Sequence, residues 1–584
     1  MATFPRPLTG GGAEVRAVHP PALLAASRIR QRLWDIIPLS ISLFLVSTLF
    51  WAPYYAPWAF AIGTTIFFGY WLVRSYAVAV ACWVGLRRIR QWERTNWVAK
   101  YCSWLPDHPD ARAWQWPRHM VIVPNYKESE ESLSRTIDSI AAQANANQIV
   151  LVLAMEAREP GARAKASRLL MRYRRSFGDM FATYHPAGLP GETPGKGSNE
   201  AWAAREAQIR LIERAGEDIE RYTLTSCDAD AVFDPHHFEA LNYLFLTAKR
   251  PYRTFWEPAI FNSNNIWDIP APLRIPDGLS GINRLSTLIM PGSVMFPTSC
   301  YSTTWKLLDE IDYWDEEVIP EDWHVFLKAC FMLGDDVRCE PLFLKLGNDC
   351  VLTEGYLKTL KAHYAQSVRH AWGASDIPYA MRAAIGRHSP LGPARRFLLA
   401  ASVTKVHALW LAQWYIVTLG VFLPSKLAGS YGAPLPYWWT HRFGVPGPGW
   451  HPENIIHPLT WFHLGKTGLI EPTMWLNLCG ILIAVCIFPL FAMIAFDHFA
   501  RPKRPEYVSK KAFVGQFVMW PLMAPITLFT ASLPALSAQW KLARGKGLVY
   551  HVAEKGSRHH VGEAARTPVS AESAVETVGA VGGR

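Results

Sequence analysis

The chain has few charged residues for its length. Asp, Glu, Lys and Arg make up 18% of its 584 residues, and half of all residues are hydrophobic. Soluble globular domains carry about a quarter of charged residues. A chain of this length also exceeds one ordinary domain. We therefore expect a membrane protein that carries a substantial polar part.

Signals of several other protein classes are missing. The nine cysteines form no CxxC pair and no zinc-like Cys/His spacing, so we expect reduced core residues. Residues 1–33 contain no short apolar core followed by a small-residue cleavage site, so no cleavable signal peptide is expected. The net charge of +11 does not predict nucleic-acid binding, because the basic residues cluster beside apolar runs. Lipid headgroups and the positive-inside rule account for such clusters.

Long apolar runs are what the chain has instead. Ile36 to Val73 contains a Pro-rich break and is long enough for two spanning helices. Arginines on both sides of this pair predict cytoplasmic ends, and hence a multi-pass protein whose polar domain is cytoplasmic. The absence of targeting segments and the compact layout favour the cell membrane as its location. These arginines are Arg28, Arg30, Arg32, Arg87, Arg88 and Arg90. The predicted segments are 1–33, cytoplasmic; 34–86, transmembrane hairpin and interfacial helix; 105–390, polar domain; 397–423, transmembrane; 424–473, extracytoplasmic; 474–496, transmembrane; 513–540, transmembrane or re-entrant; and 555–584, disordered.

Two features of the membrane layout have alternative interpretations. Lys405 lies in the third predicted span and is a candidate functional residue there. The favoured alternative is that Lys405 snorkels or that this half of the helix lies in the interface. The last apolar run contains Pro521, Pro525 and Pro534 and is followed by the basic stretch "WKLARGKG". A spanning helix would place this basic stretch outside, so a re-entrant segment is weakly favoured.

The region 105–390 alternates between two hydrophobic patterns. Apolar runs typical of strands occur in "HMVIVP", "QIVLVLAM", "MFATYHP" and "YTLTSC", and segments with helical periodicity lie between them. This alternation predicts an α/β domain with a mostly parallel, Rossmann-like sheet wrapped by helices. Ligands bind at the carboxyl ends of the strands in such sheets, so the loops after these runs are the informative ones.

These loops carry polar residues of matching chemistry. The first contains "PNYKE" at 124–128, the second begins with Glu156, the third is Gly-rich and leads to Lys196, and the fourth holds Asp228 and Asp230. An acidic pair facing a Gly-rich loop with a lysine suits a diphosphate and a hard divalent cation, Mg²⁺ or Mn²⁺. The alternative is an Asx-turn or a helix N-cap. The position after a fully apolar strand, fourth in the series, favours the cation.

Two later stretches add further candidates. "VIPEDWHVFLKACFMLG" places Glu321 and Asp322 at the start of a helix, as a favourable terminal charge or as a general base. "AQSVRHAWG" supplies Gln366, Arg369 and Trp372. Arg369 would pair with a phosphate, and Trp372 would stack on a sugar. The alternative is a solvated helix with one buried Trp.

The order "VIVPNYKE", Glu156, "GKGSN", "DAD", "PED" and "QSVRH" in a membrane-flanked α/β domain resembles family 2 glycosyltransferases. The general type is that of the membrane-embedded cellulose, chitin and hyaluronan synthases. The resemblance covers roughly 105–390 and the flanking helices. It implies a GT-A fold, a nucleotide-diphospho-sugar donor such as a UDP-sugar, a metal, a glycan acceptor and inversion at the anomeric carbon.

The resemblance also implies roles for individual residues. Pro124, Tyr126 and Glu128 would hold the nucleoside, and Glu156 would contact the base or ribose. Asp228 and Asp230 would bind the metal and the diphosphate, and Asp322 would be the catalytic base. Gln366 and Arg369 would contact the acceptor and the diphosphate. Lys196, Glu321 and Trp372 complete the predicted substrate-binding set.

Two residues depart from the family pattern. His370 stands where the family has Trp, which puts processive synthesis in doubt, and Glu156 stands where the family has Asp. One alternative is therefore the transfer of a single sugar to a lipid carrier or other membrane-linked acceptor. A transporter or channel, and an inactive scaffold, are disfavoured further alternatives. Membrane lipids are expected partners, and a secretion partner stays open.

Overall fold

The computed structural model describes residues 28–55, 57–386, 389–420 and 472–547. The predicted tail 555–584, nearly all of the predicted loop 424–473 and most of the predicted segment 1–33 lie outside the described residues.

Helices make up most of the described chain. They are α1 Arg28–Tyr55, α2 Pro57–Trp92, α3 Trp97–Trp104, α4 Glu130–Ala141, α5 Ala162–Tyr173, α6 Lys196–Ala207, α7 His237–Thr247, α8 Arg274–Ile289, α9 Trp305–Glu310, α10 Glu321–Leu333, α11 Tyr356–Ala371, α12 Asp376–Ile385, α13 Pro393–Leu419, α14 Pro472–Val485, α15 Ile487–Ala500, α16 Lys510–Gly515, α17 Met523–Thr527 and α18 Leu533–Ala543. Helices α4 to α10 lie around one sheet, and α1, α2 and α13 to α18 form the apolar helical part. Helix α11 packs mainly against α18, and α12 packs mainly against α13.

The sheet has eight strands in the order β3-β2-β1-β4-β7-β6-β8-β5. They are β1 Arg118–Asn125, β2 Ile149–Glu156, β3 Asp179–His185, β4 Tyr222–Ser226, β5 Val232–Phe233, β6 Thr254–Asn262, β7 Tyr301–Thr304 and β8 Arg338–Asn348. Only β5 and β7 run against the others. The predicted α/β class with a mostly parallel, Rossmann-like sheet is confirmed.

The two faces of the sheet bury separate apolar clusters. Met120 and Ile122 of β1 pack in one cluster, whereas Val121 and Val123 pack in the other. This alternation follows from the two-residue repeat of a strand. Because both faces are covered, the central strands read as the continuous apolar runs noted in the sequence.

The chain direction places six strand ends on one edge of the sheet. The carboxyl ends of β1, β2, β3, β4, β6 and β8 meet there, and so does the start of the antiparallel β7. The predicted polar loops after β1, β2, β3 and β4 therefore share this edge with the residues just before β7 and just after β8.

Four segments among the described residues are long and apolar enough to cross a membrane: Arg32–Ala52, Ile62–Trp92, Leu478–Ala500 and Phe513–Ala543. They coincide with the predicted hairpin, the predicted span 474–496 and the predicted segment 513–540. The predicted span 397–423 falls on α13, which is not one of the four. The domain boundaries and the side of each segment stay predictions.

Helix α13 packs against the first two helices. Ala412 and Ile416 lie in one apolar cluster with Leu49, Ala52 and Phe60. Lys405 of the same helix is exposed, and its position relative to the membrane stays a prediction.

Candidate active site

Lys196 is the centre of charge at the shared edge. Its Nζ lies 3.1 Å from Asp228 Oδ1, 3.3 Å from Glu321 Oε1 and 4.0 Å from Glu200 Oε1. Burial alone would lower the pKa of Lys196, but the three carboxylates outweigh it and raise the pKa well above its usual value. The lysine therefore stays charged and relieves the repulsion between these acids.

The helix that carries Lys196 approaches α10 closely. A Cβ atom at Gly197 would lie 2.9 Å from Glu321 Cβ, so a larger residue would push the two helix starts apart. Burial raises the pKa of Glu321, and Lys196 opposes this shift. Gly197, the second glycine of "GKG", thus allows the close approach that brings Lys196 to Glu321.

Glu200 was not predicted from the sequence. It is fully buried one turn after Lys196, and Ser226 Oγ donates a 2.7 Å hydrogen bond to its Oε1. Burial raises the pKa of Glu200 to about 8, although Lys196 acts in the opposite direction. Its i,i+4 spacing from the lysine was the only indication that the sequence offered.

Ser299, just before β7, links the acids to one another. Its backbone N donates a 3.0 Å hydrogen bond to Asp322 Oδ2, and its Oγ donates to Asp228 Oδ2. Its carbonyl oxygen accepts a hydrogen bond from Lys196 Nζ. One residue therefore contacts three members of the predicted site. No motif in the sequence marks it.

A buried acid supports the loop that carries Ser299. Glu257 of β6 is 3% exposed and accepts hydrogen bonds from the backbone N, at 3.0 Å, and the Oγ1 of Thr298. Burial raises the pKa of Glu257 well above its usual value, and the bonds from Thr298 oppose this shift. Glu257 thus fixes the segment from which Ser299 reaches Asp322.

Asp322 lies in the first turn of α10, where the sequence predicted a helix start. Its Oδ1 accepts a 2.8 Å hydrogen bond from the backbone N of Trp323, and its Oδ2 accepts the bond from Ser299. A carboxylate is favourable at this end of a helix. The two backbone donors also orient the side chain, which is partly exposed.

The end of β8 closes the site from the other side. Asn348 Nδ2 donates to Asp228 Oδ2 at 3.3 Å, and the backbone N of Asp349 donates to Asp230 Oδ2 at 2.7 Å. The side chain of Asp349 is paired with Arg135. The sequence analysis missed Asn348 and Asp349.

The ends of β1 and β2 gather the predicted nucleoside-binding residues. Pro124 lies within β1, and Glu128 Oε2 accepts a 2.6 Å hydrogen bond from the backbone N of Tyr126 in the loop that follows. The guanidinium of Arg158 lies 4.2 Å from the centre of the Tyr126 ring, and its Nε lies 2.9 Å from Glu156 Oε2. These side chains therefore form one polar group at neighbouring strand ends.

His185, at the end of β3, joins this group and was not predicted. It lies 3.2 Å from Glu156 Oε1 and 2.9 Å from Glu192 Oε2. Burial lowers the pKa of His185, but the two carboxylates outweigh it and raise the pKa above its usual value. The carboxylate of Glu156 therefore has two basic neighbours.

The remaining predicted residues lie on a separate element. Gln366 and Arg369 are partly exposed on α11, and His370 beside them is exposed. Trp372 follows the helix and is 8% exposed, in an apolar cluster that includes Ile319. Its predicted contact with a sugar, like the substrate contacts of the other two, stays a prediction.

The donor atoms at the shared edge suit a hard cation. Asp228 and Asp230 offer carboxylate oxygens, the ligand type that Mg²⁺ and Mn²⁺ prefer. Among the described residues no group of three or more His, Cys, Asp and Glu side chains could hold a metal ion. Magnesium sites often combine one or two carboxylates with substrate phosphates, so the residues fit a cation that binds together with a diphosphate.

Comparisons with known proteins agree with part of the predicted resemblance. Residues 224–496, a little under half of the chain, match the family model described as Glycosyl transferase family group 2. This range includes Asp228, Asp230, Asp322 and Arg369. No curated protein sequence matches the chain significantly. The finer resemblance to cellulose, chitin or hyaluronan synthases stays a prediction.

One similar solved structure is "Mannosyltransferase PcManGT from Pyrobaculum calidifontis in complex with GDP-Man and Mn2+". It is 16% identical, the match covers 74% of this chain and 98% of that chain, and the TM-score is 0.39. A similarity at this level carries no conclusion about the donor or the metal of the present chain.

Proposed function

We propose that the protein is a membrane glycosyltransferase that moves a sugar from a nucleotide-diphospho-sugar, a UDP-sugar in the first instance, to a glycan acceptor. The observation that carries this proposal is the contact set at the shared edge. Lys196 joins Asp228 to Glu321, and Ser299 joins Asp228 to Asp322. The family match over residues 224–496 supports the same reaction class.

The donor diphosphate would bind at the two aspartates. Asp228 and Asp230 would hold Mg²⁺ or Mn²⁺, and when bound this cation stabilises the negative charge that develops on a departing diphosphate. Lys196 already lies 3.1 Å from Asp228 and supplies a second positive charge there. Arg369 of α11 is assigned to the same diphosphate. Tyr126 and Glu156, at the ends of β1 and β2, would contact the nucleoside.

Asp322 would act as the general base. It takes the proton from the acceptor hydroxyl while the acceptor oxygen forms a bond to the anomeric carbon and the bond from that carbon to the diphosphate oxygen breaks. A single displacement inverts the anomeric carbon and needs one base and no covalent carboxylate. The backbone N–H groups of Ser299 and Trp323 hold the carboxylate in place before the hydroxyl arrives.

One observation favours a single transfer as a second candidate. His370, at the position where the family has Trp, is exposed on α11, and Trp372 is packed in an apolar cluster. An aromatic platform for a growing polymer therefore has no clear counterpart at these two positions. The acceptor would then be a lipid carrier or another membrane-linked molecule.

The test is nucleotide release by the purified full-length protein in detergent or nanodiscs. UDP- and GDP-sugars are offered with Mn²⁺ or Mg²⁺. Asp322→Asn should lower turnover by about 10²–10⁴-fold, the range for general base catalysis, and leave nucleotide binding largely intact. Asp230→Ala should remove the metal-dependent release.

A surface acid provides the matched control. Asp336 forms an ion pair with Arg250, and both side chains are about half exposed. Asp336→Asn should therefore keep wild-type turnover. Near-normal turnover of Asp322→Asn would refute the assigned base, and absence of both release and nucleotide binding in the wild type would refute the transferase itself.

A further inference from the structure

Asn348 is the last residue of β8 and lies against the acidic pair. Its Nδ2 donates to Asp228 Oδ2 at 3.3 Å and to Ser299 Oγ at 3.0 Å. The next residue, Asp349, donates its backbone N–H to Asp230 Oδ2 at 2.7 Å. The end of β8 therefore contacts both aspartates. In the sheet, β8 and β1 lie on opposite sides of β4, the strand that the aspartates follow.

The other atom of the Asn348 amide has no such partner. Among the described residues, Oδ1 is buried without a hydrogen bond, and the residue is 3% exposed. A buried acceptor without a partner is unfavourable. The end of the amide that contacts Asp228 is Nδ2, so Oδ1 gains a cation at the acidic pair only after the amide has turned.

We propose that Asn348 is a third protein ligand of the divalent cation and binds it through Oδ1 beside Asp228 and Asp230. The inference rests on the proposed function, because it requires the cation that the donor diphosphate accompanies. Amide carbonyl oxygens are regular ligands of hard divalent cations. Asn348 would add a third protein ligand to the two carboxylates of Asp228 and Asp230.

A half-turn of the amide about the Cβ–Cγ bond is enough for this role. It places the carbonyl oxygen where Nδ2 now lies, 3.3 Å from Asp228 Oδ2. Neighbouring oxygens of an octahedral site with bonds of about 2.1 Å are about 3.0 Å apart, close to that separation. The single hydroxyl proton of Ser299 stays in its bond to Asp228 Oδ2, so the turned carbonyl oxygen is left to bind the cation.

The neighbouring acid is less suited to the same role. The carboxylate of Asp349 is paired with Arg135, and its Oδ1 accepts a 3.0 Å hydrogen bond from Asn264 Nδ2. It would have to leave both partners to reach a cation. Asn348 needs only to turn its amide.

The test is Mn²⁺ binding to the full-length protein in detergent, measured by the electron paramagnetic resonance signal of free Mn²⁺, with and without UDP or GDP. Asn348→Ala should weaken Mn²⁺ binding by at least about tenfold, since even the loss of groups that only support ligands costs about 10–100-fold. Asn348→Asp should bind Mn²⁺ at least as tightly as the wild type.

Asn125 provides a matched control. It ends β1, is 1% exposed and also has a buried Oδ1 without a partner, but its Nδ2 donates to Glu128. In the measurement without nucleotide, Asn125→Ala should leave Mn²⁺ affinity within about twofold of the wild type, since Asn125 lies outside the proposed ligand set.

The outcomes separate the inference from the function on which it rests. Wild-type affinity in a folded Asn348→Ala variant overturns the inference and leaves the transferase proposal intact. If that variant does not fold, Asn348→Asp decides, and a tenfold loss of affinity in it overturns the inference. No Mn²⁺ binding by the wild type, even with UDP or GDP, overturns both the cation and its third ligand.

Discussion

Ser299 has a backbone conformation that residues other than glycine seldom adopt, with φ of 56°. Its contacts account for the position, because the turn directs the backbone N–H to Asp322 and the hydroxyl to Asp228. Strained positions of this kind cluster at functional sites, where the surroundings hold them in place. Substitutions at Ser299 can therefore separate the donor side of the site from the base.

Ser299→Ala should mainly affect donor binding. It removes the hydroxyl bond to Asp228 and keeps the backbone bond to Asp322, so KM for the donor should rise about tenfold with kcat nearly unchanged. Ser302→Ala is the control, because Ser302 Oγ lies 2.8 Å from Thr225 Oγ1 within the sheet. Steady-state kinetics of both variants test this prediction. A fall in kcat at constant KM would show that the Ser299 hydroxyl supports the base Asp322 and not donor binding.

The sequence could predict the residues that stand in motifs and not those that support them. Lys196, Asp228 and Glu321 follow recognisable strand and loop patterns, and the structure brings them into contact. Ser299 and Asn348 are small polar residues whose importance comes from partners 23 and 120 residues away in the chain. Only the sheet topology reveals such pairs.

At the scale of single elements, the position of α10 depends on a buried charge network. His324, two residues after the proposed base, lies 2.7 Å from Asp376 Oδ1 and 2.9 Å from Asp315 Oδ2. Lys328 pairs with Asp315 as well. Burial lowers the pKa of His324, but Asp376 and Asp315 outweigh it and raise the pKa to about 9. The helix is therefore fixed to α12 by a charged imidazole at neutral pH.

His324→Gln should lower the stability of the protein at pH 7 by about 3 kcal/mol, because it leaves buried Asp376 without its cation. The folded pKa of His324 lies above its usual 6.5. The contribution is therefore fully present below about pH 6.5 and is lost as the pH rises through about 9. The gap in melting temperature between wild type and variant should close over that range.

A surface histidine gives the control for this prediction. His236 lies 3.1 Å from Glu239, but its side chain is 43% exposed. His236→Gln should change stability by less than about 0.5 kcal/mol, as for other exposed pairs. If the difference in melting temperature between wild type and His324→Gln were unchanged at pH 10, the proposed role of charged His324 would be wrong.

Element prediction succeeded where the hydrophobic pattern was long. The runs "HMVIVP" and "QIVLVLAM" correspond to β1 and β2 within about one residue, because strands buried on both faces are continuous and apolar. The strand β7 has the sequence "YSTT" and four residues, and it was not predicted. Its polar side chains are buried by pairing with β4, as Ser302 does with Thr225, and no local pattern indicates this.

For the molecule as a whole, the sheet domain lies between apolar helices that precede and follow it in the chain. Ile282 and Leu285 of α8 pack with Cys82 and Leu86 of α2 in one cluster, which also contains Phe496 of α15. Helices from both ends of the chain thus contact the domain directly.

The orientation of the domain can be tested with one cysteine. Of the nine cysteines, Cys102 of α3 is the exposed one, and the others are buried or partly buried. The arginines around the first two helices predict that α3 is cytoplasmic. A membrane-impermeant maleimide should therefore label the protein in inside-out vesicles and not in right-side-out vesicles. Cys102→Ser should abolish this labelling, and labelling of right-side-out vesicles that depends on Cys102 would place the domain on the opposite side.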